Sequence, residues 1–335
     1  MGDARLRGNF VGLRSQFVRA RGVVENRVRV KVLGSAAGGG FPQWNCGCPN
    51  CRGVRSGRLK AKPRTQSQVA VSNDDHWFLL NASPELRGQI EATQELHPRA
   101  TRHTPTEGIV ITSADLDHVL GLLLLRELQP MHVYSTPSIR RILREDNSFF
   151  RMLSQSTAQI ECTDITPGIP FRLAPVEAGC SLLCRPIALP GRFPPYVTEA
   201  RASTLSPSEA VIGLVVEAGE GSGGRLGFFP GVAELNDELL SLFDSCALLL
   251  VDGTFWTDDE LIALGIGDRT ARQMDHLPIS GRDGSLAQLA TLPCRHRIYT
   301  HINNTNPMLV ERSPESALVE RAGLTIGVDG LSISV

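Results

Sequence analysis

Short apolar runs separated by glycine and proline recur along the chain, and few of them reach helical length. Val28 to Leu33 is a β-branched run that ends in Gly34-Ser-Ala-Ala-Gly-Gly-Gly40, which predicts a strand leaving into a flexible loop. Ser67 to Ser72, Trp77 to Asn81, Ile109 to Thr112 and Met131 to Ser135 read as further short strands. Helical patterns at Pro84 to Thr93 and Leu120 to Leu128 interrupt them. From Ile160 to Leu189 the pattern is again strand-like, broken by Pro167, Pro170, Pro175 and Pro186, and a polar loop follows from Pro190 to Glu209. Val211 to Glu217 and Arg225 to Phe229 form a predicted hairpin across the glycine-rich turn from Gly219 to Gly224. Glu234 to Leu242 and Leu286 to Leu292 are helical, while Ala247 to Asp252 and Arg297 to His301 are strands ending on polar residues.

Each half of the chain thus runs from strands into helices, with no low-complexity linker or solenoid period between them. Two β-rich halves packed face to face in one domain, helices outside, account for this order. The balance of Lys+Arg 34 against Asp+Glu 35 removes any strong bias toward nucleic acid or anionic membrane. The start is locally basic: residues 1–28 form a leader expected to be poorly ordered, with a transit peptide as the alternative, and residues 29–335 form the domain. No stretch reaches membrane-spanning length, and three of the eight cysteines crowd into Cys46-x-Cys48-x-x-Cys51, which suits thiolate ligation better than disulfides. A reducing, cytoplasmic setting is expected.

Three segments carry candidate chemistry. Thr112-Ser-Ala-Asp-Leu-Asp-His118 lies between an apolar strand and a helical run, so Asp115, Asp117 and His118 can converge on an ion. Taken alone, an Asp-His pair also suits a surface loop or helix cap. Leu248-Leu-Leu-Val-Asp252 and Arg297-Ile-Tyr-Thr-His301 each deliver one polar side chain from a strand end. Cys46, Cys48 and Cys51 supply three thiolates, enough to wrap a zinc given a fourth ligand. Arg64, Gln66 and Ser67 are candidates for contacting an acidic ligand, and Trp44, Phe255 and Trp256 for stacking on an aromatic one. The glycine loop at Gly38 to Gly40 lacks the Lys-Ser/Thr of a phosphate loop.

The order Asp117-His118, then Asp252, then His301 resembles the metallo-β-lactamase superfamily. Asn81 stands where that superfamily usually places an aspartate. The resemblance is strongest to its branch in pyrroloquinoline quinone biosynthesis, through Val32 to Cys46, Pro63 to Ser67, Asp252 to Glu260, Met274 to Pro278 and His301 to Pro307. It implies an α+β fold, a four-layer αβ/βα sandwich in a single domain. Positions that hold first-metal histidines in two-metal relatives are here Ser113 and Asp115, and no histidine occurs between His132 and His276. The resemblance therefore implies one active-site ion on Asp117, His118 and His301, with Asp252 and Asp115 as auxiliary carboxylates. His276 matches a loop histidine that acts as general acid in phosphodiesterase members, with an orienting hydrogen bond as its simpler role. Asn304, three residues after the last active-site histidine, matches the position of the fourth structural-zinc ligand.

Two histidines and one carboxylate with open positions are the ligand set of non-haem Fe(II) oxygenases, whereas a hydrolytic clamp needs two ions. The implied activity is Fe(II)- and oxygen-dependent hydroxylation of the tyrosine-derived ring of the cross-linked glutamate-tyrosine precursor, free or peptide-derived. Zn, Mn or Cu are other ions this ligand set accepts. The rivals are a single-metal hydrolase and a carrier for the finished cofactor or its precursor. Pathway proteins and a second copy of the chain are the expected protein partners.

Overall fold

The computed structural model describes residues 27–127, 129–150, 160–173, 182–219 and 224–335. The leader through residue 26, Leu128, Pro175, Cys180 and the hairpin turn at 220–223 lie outside the described residues. Among the described residues, fourteen strands form two sheets of seven. The first contains β1 (Arg29–Gly34), β2 (Gln68–Ser72), β3 (Trp77–Leu80), β4 (Thr106–Val110), β5 (Met131–Ser135) and β6 (Ile160–Asp164). The second contains β7 (Phe171–Arg172), β8 (Leu183–Ala188), β9 (Ile212–Glu217), β10 (Arg225–Phe229), β11 (Leu248–Asp252), β12 (His296–Thr300) and β13 (Thr325–Ile326). The last strand, β14 (Ser332–Ser334), returns to the first sheet beside β1.

The two sheets share a plan. The first runs antiparallel through β1, β2 and β3, then parallel through β4, β5 and β6. The second runs antiparallel through β7 to β10, then parallel through β11, β12 and β13. Its parallel strand β11 is buried at every position, which is why Leu248-Leu-Leu-Val-Asp reads as a continuous apolar run instead of an alternating one.

Three apolar layers follow. Between the sheets, Val30, Val71, Phe78 and Leu80 face Leu214, Phe228, Leu250 and Ile298. The outer face of the first sheet is covered by helices 86–91 and 137–141 through Leu86 and Ile139, and that of the second by helices 237–244, 285–289 and 314–321 through Phe243, Leu289 and Val319. The fold is therefore the expected four-layer sandwich.

Elements absent from the sequence reading are short. They include β13, β14 and the helices Pro49–Arg55, Pro137–Arg141 and Pro314–Arg321. These helices start at a proline after a side-chain cap, as at Thr136 and Ser313. The predicted helix at 120–128 is instead a turn of α-helix, Leu116–Val119, tightening into a 3₁₀ segment, Leu120–Leu124. Gly121 permits this, because a Cβ there would meet the Ser83 carbonyl oxygen at 2.3 Å. Among the described residues no helix is long and apolar enough to cross a membrane.

Main-chain bonds stitch the two sheets at one end. Ile212 N–H donates to the Thr112 carbonyl at 2.9 Å, Ile302 N–H to Ser35 at 2.9 Å, and Ala37 N–H to Ile302 at 2.9 Å. The loops after β4, β11 and β12 meet there. Because Phe228 is fully buried in the inter-sheet layer, Phe228→Ala is expected to lower stability by about 3–5 kcal/mol in urea unfolding. A loss below about 1 kcal/mol would mean the sheets are held by something other than this layer.

Candidate metal centre

The site is built from the C-terminal ends of parallel strands. Asp117 and His118 follow β4, Asp252 ends β11, and His301 follows β12. Three of the four non-glycine residues with left-handed φ among the described residues lie here: Asn81 (69°), Asp275 (63°) and His301 (54°). Such conformations cost energy and persist where surrounding contacts hold them. Asn81 shows how: its Oδ1 accepts from the Thr112 N–H and hydroxyl, both at 2.9 Å, fixing the start of the Asp117 loop.

Asp117 Oδ2 lies 3.3 Å from His301 Nε2 and 3.8 Å from His118 Nε2. His118 Nε2 is buried and has no hydrogen-bond partner among the described residues. A single ion about 2.1 Å from each donor requires donor separations of about 3 Å or slightly more, so the three side chains fit one ion. Burial pushes the His118 imidazole toward its neutral form, the form that ligates. Burial opposes ionisation of Asp117, but His118 and His301 outweigh it and hold the carboxyl far below its usual range.

Each of these two histidines is oriented by a hydroxyl backed by a carboxylate. Ser113 Oγ lies 2.8 Å from His118 Nδ1 and 2.6 Å from Asp115 Oδ2. Thr254 Oγ1 lies 2.9 Å from His301 Nδ1 and 2.6 Å from Asp252 Oδ1. An ionised carboxylate only accepts, so each hydroxyl proton goes to the aspartate and the hydroxyl oxygen receives the Nδ1 proton. Both Nε2 lone pairs are thereby left for an ion. Thr254 escaped sequence reasoning; its signal was its place two residues beyond Asp252.

Asp252 and Asp115 therefore orient ligands. Asp252 is saturated: besides Thr254 Oγ1, Oδ1 accepts from Thr254 N–H at 3.0 Å, and Oδ2 accepts from Val232 N–H at 2.9 Å and His276 Nδ1 at 2.6 Å. Asp252, His276 and His301 offer donor atoms within 4.8 Å of one another, yet every Asp252 lone pair is already engaged. Burial would lower the His276 pKa, but the charge and hydrogen bond of Asp252 prevail and raise it. Its ring stacks on His301 with centroids 5.5 Å apart.

These groups line a cleft of about 480 Å³ whose walls include Phe193, Pro194, Pro195 and Phe255. Of the residues expected to touch substrate, only Phe255 lines it. Arg64 is buried, with Nε donating to the Gly327 carbonyl at 3.0 Å and Nη1 to Lys62 at 2.8 Å. Gln66 Oε1 accepts from Gly39 N–H at 3.2 Å, bracing the glycine loop. Ser67 is fully buried, and Trp256 packs with the outer layer of the second sheet. Arg192, Tyr196 and Arg269, which no motif marked, sit at or beside the cleft instead.

Cys46, Cys48 and Cys51 gather their sulfurs within 4.8 Å. Asn304 Nδ2 stands 3.1, 3.6 and 3.4 Å from these three atoms in turn. Turning that amide over presents its oxygen instead, so three thiolates and one amide oxygen fit a tetrahedral zinc. The same 301–306 segment carries His301, and Glu260 braces it through Thr305. Burial pushes the Glu260 carboxyl up to about 7.

The chain matches the beta-lactamase superfamily domain over residues 76–302. It is 40% identical to coenzyme PQQ synthesis protein B of Methylobacterium sp. (strain 4-46), covering 91% of this chain and 99% of the relative. A Pseudomonas putida (strain W619) protein of the same name is 40% identical, with the same coverage of both chains. The Zn(2+)-bound PqqB crystal structure from Methylobacterium extorquens superposes with a TM-score of 0.83 at 40% identity, covering 91% of this chain and 99% of that one. A PhnP-family diphosphatase, 17% identical with a TM-score of 0.62 over 92% of this chain and 97% of its own, shares the fold.

Removing the hydroxyl relay tests this geometry. Thr254→Val is expected to weaken divalent-ion binding about 10–100-fold in chelator competition, with Thr254→Ser near the original affinity. Unchanged affinity in a folded Thr254→Val protein would show that Thr254 does not orient His301.

Proposed function

The chain belongs to the coenzyme PQQ synthesis protein B family of the beta-lactamase superfamily, and from that premise we propose that it is an Fe(II)- and oxygen-dependent hydroxylase. Its substrate in this reading is the tyrosine-derived ring of the cross-linked glutamate-tyrosine precursor of pyrroloquinoline quinone. The observation that carries the reading is the use of Ser113 and Asp115. Side chains at the positions of the missing histidines brace His118, so the donor set serves one ion. Two histidines and one carboxylate leave open positions, as oxygen chemistry requires.

Bound Fe(II) would supply oxygen activation and a point of attachment for ring oxygens. Asp117, His118 and His301 hold it, and the Ser113 and Thr254 hydroxyls keep both imidazoles turned toward it. His276, its Nδ1 tied to Asp252, keeps Nε2 to give or take a ring proton near neutral pH. Phe193, Pro194 and Phe255 exclude water around an aromatic ring. Each hydroxylation replaces a ring C–H with C–OH, consumes O2, two electrons and two protons, and releases the other oxygen atom as water. The electrons come from an added reductant or from a diol-bearing substrate. Cys46, Cys48, Cys51 and Asn304 hold a structural zinc in the same reading, supported by the convergence of the three sulfurs and the Asn304 amide.

Anaerobic loading with Fe(II), then oxygen, ascorbate and a diol-bearing tyrosine analogue, is expected to give a product one oxygen atom heavier by mass spectrometry. The added atom derives from labelled O2. Asp117→Ala and His301→Ala abolish the gain. Turnover without oxygen in the zinc-loaded protein would establish a hydrolase instead, and tight binding of the finished quinone without any turnover would establish a carrier.

A further inference from the structure

The cleft wall carries charged side chains of both signs. At its floor lie Asp115, which accepts from the Ser113 hydroxyl beside His118, and Asp117, 3.3 Å from His301 Nε2. Two arginines, Arg192 and Arg269, line the same cleft. They differ in one respect. Arg192 is committed, its Nε bonded to Asp275 Oδ2 at 2.9 Å and Nη2 to the Gln273 carbonyl at 2.5 Å. Arg269 makes no hydrogen bond or ion pair among the described residues. Its neighbour Asp268 is exposed and is not part of the cleft wall.

We propose that Arg269 is a specificity-determining residue that anchors a substrate carboxylate in the metal-containing cleft. The inference rests on the reading of this cleft as the substrate site. An aromatic ring with adjacent oxygens at the ion, packed against Phe193 and Phe255, points its other substituents away from the floor. A carboxylate there meets the guanidinium that lacks a partner, and the planar fork of arginine matches it in two hydrogen bonds. Arg192 already has its charge met by Asp275, the residue preceding His276 in the chain, which makes it the weaker attractor for a second carboxylate. The ligand class is therefore an aromatic diol bearing a free carboxylate, in preference to its ester or amide.

The test uses full-length protein loaded with zinc, which is redox-inert, and calorimetric titration with dihydrocaffeate and its methyl ester. The acid is expected to bind about tenfold more tightly than the ester, the scale of one charge-assisted pair at a partly wet rim. Arg269→Gln removes that preference while leaving ester affinity unchanged, and Arg269→Lys restores most of it. Equal affinity for acid and ester in the parent protein, or binding of neither, overturns the proposal. So does an equal loss for both ligands in Arg269→Gln, or loss of the preference in Arg192→Gln instead. Because no oxygen is consumed, an intact preference in a protein that never hydroxylates would refute the oxygenase reading alone.

Discussion

The Asp117 carboxylate and the His301 imidazole come from different sheets, 184 residues apart, and meet at 3.3 Å. Their meeting depends on how the sheets are joined. Main-chain bonds from Ile302 to Ser35 and from Ile212 to Thr112 set the spacing of the strand ends. Slippage at that seam would separate the donors by more than an ion can bridge. The inter-sheet apolar layer supplies cohesion, and these few directional bonds supply register.

Burying two histidines, their carboxylate neighbours and an aspartate ligand in one place is costly unless each polar atom finds a partner. The site meets this cost by nesting the groups: imidazole to hydroxyl, hydroxyl to carboxylate, and, for Asp252, carboxylate to main-chain N–H. What remains is His118 Nε2, buried and without a partner among the described residues. An unsatisfied buried acceptor of this kind costs about 1–3 kcal/mol, which a bound cation would relieve. The arrangement is thus complementary to an ion before one arrives.

The cysteine cluster belongs to the same mechanical unit. Asn304 reaches three sulfurs from the segment that places His301, and Asn50 Nδ2 bonds the Asn304 carbonyl at 3.1 Å. The loop after β1 and the end of β12 are therefore clamped together beside the candidate metal centre. Glu260 adds a second clamp through Thr305 and the Trp256 N–H. Rigid support of this sort keeps ligands within the few tenths of an ångström that metal geometry demands.

The amino-acid order by itself determined the strands around the site and the residues at their ends, because a buried parallel strand leaves a local signature: an apolar run stopped by a polar side chain. Asp252 and His301 were legible on that ground, and Cys46, Cys48 and Cys51 through their spacing. The short strands β13 and β14 left no such trace, being stabilised by neighbours distant in the chain. Tertiary structure alone decided that Arg64 and Ser67 are buried away from the cleft, that Asp252 orients His301 through Thr254, and that Arg269 lines the cleft with no partner among the described residues. Those outcomes depend on which loops the two sheets bring together, and contacts between distant segments carry no local periodicity from which they could be read.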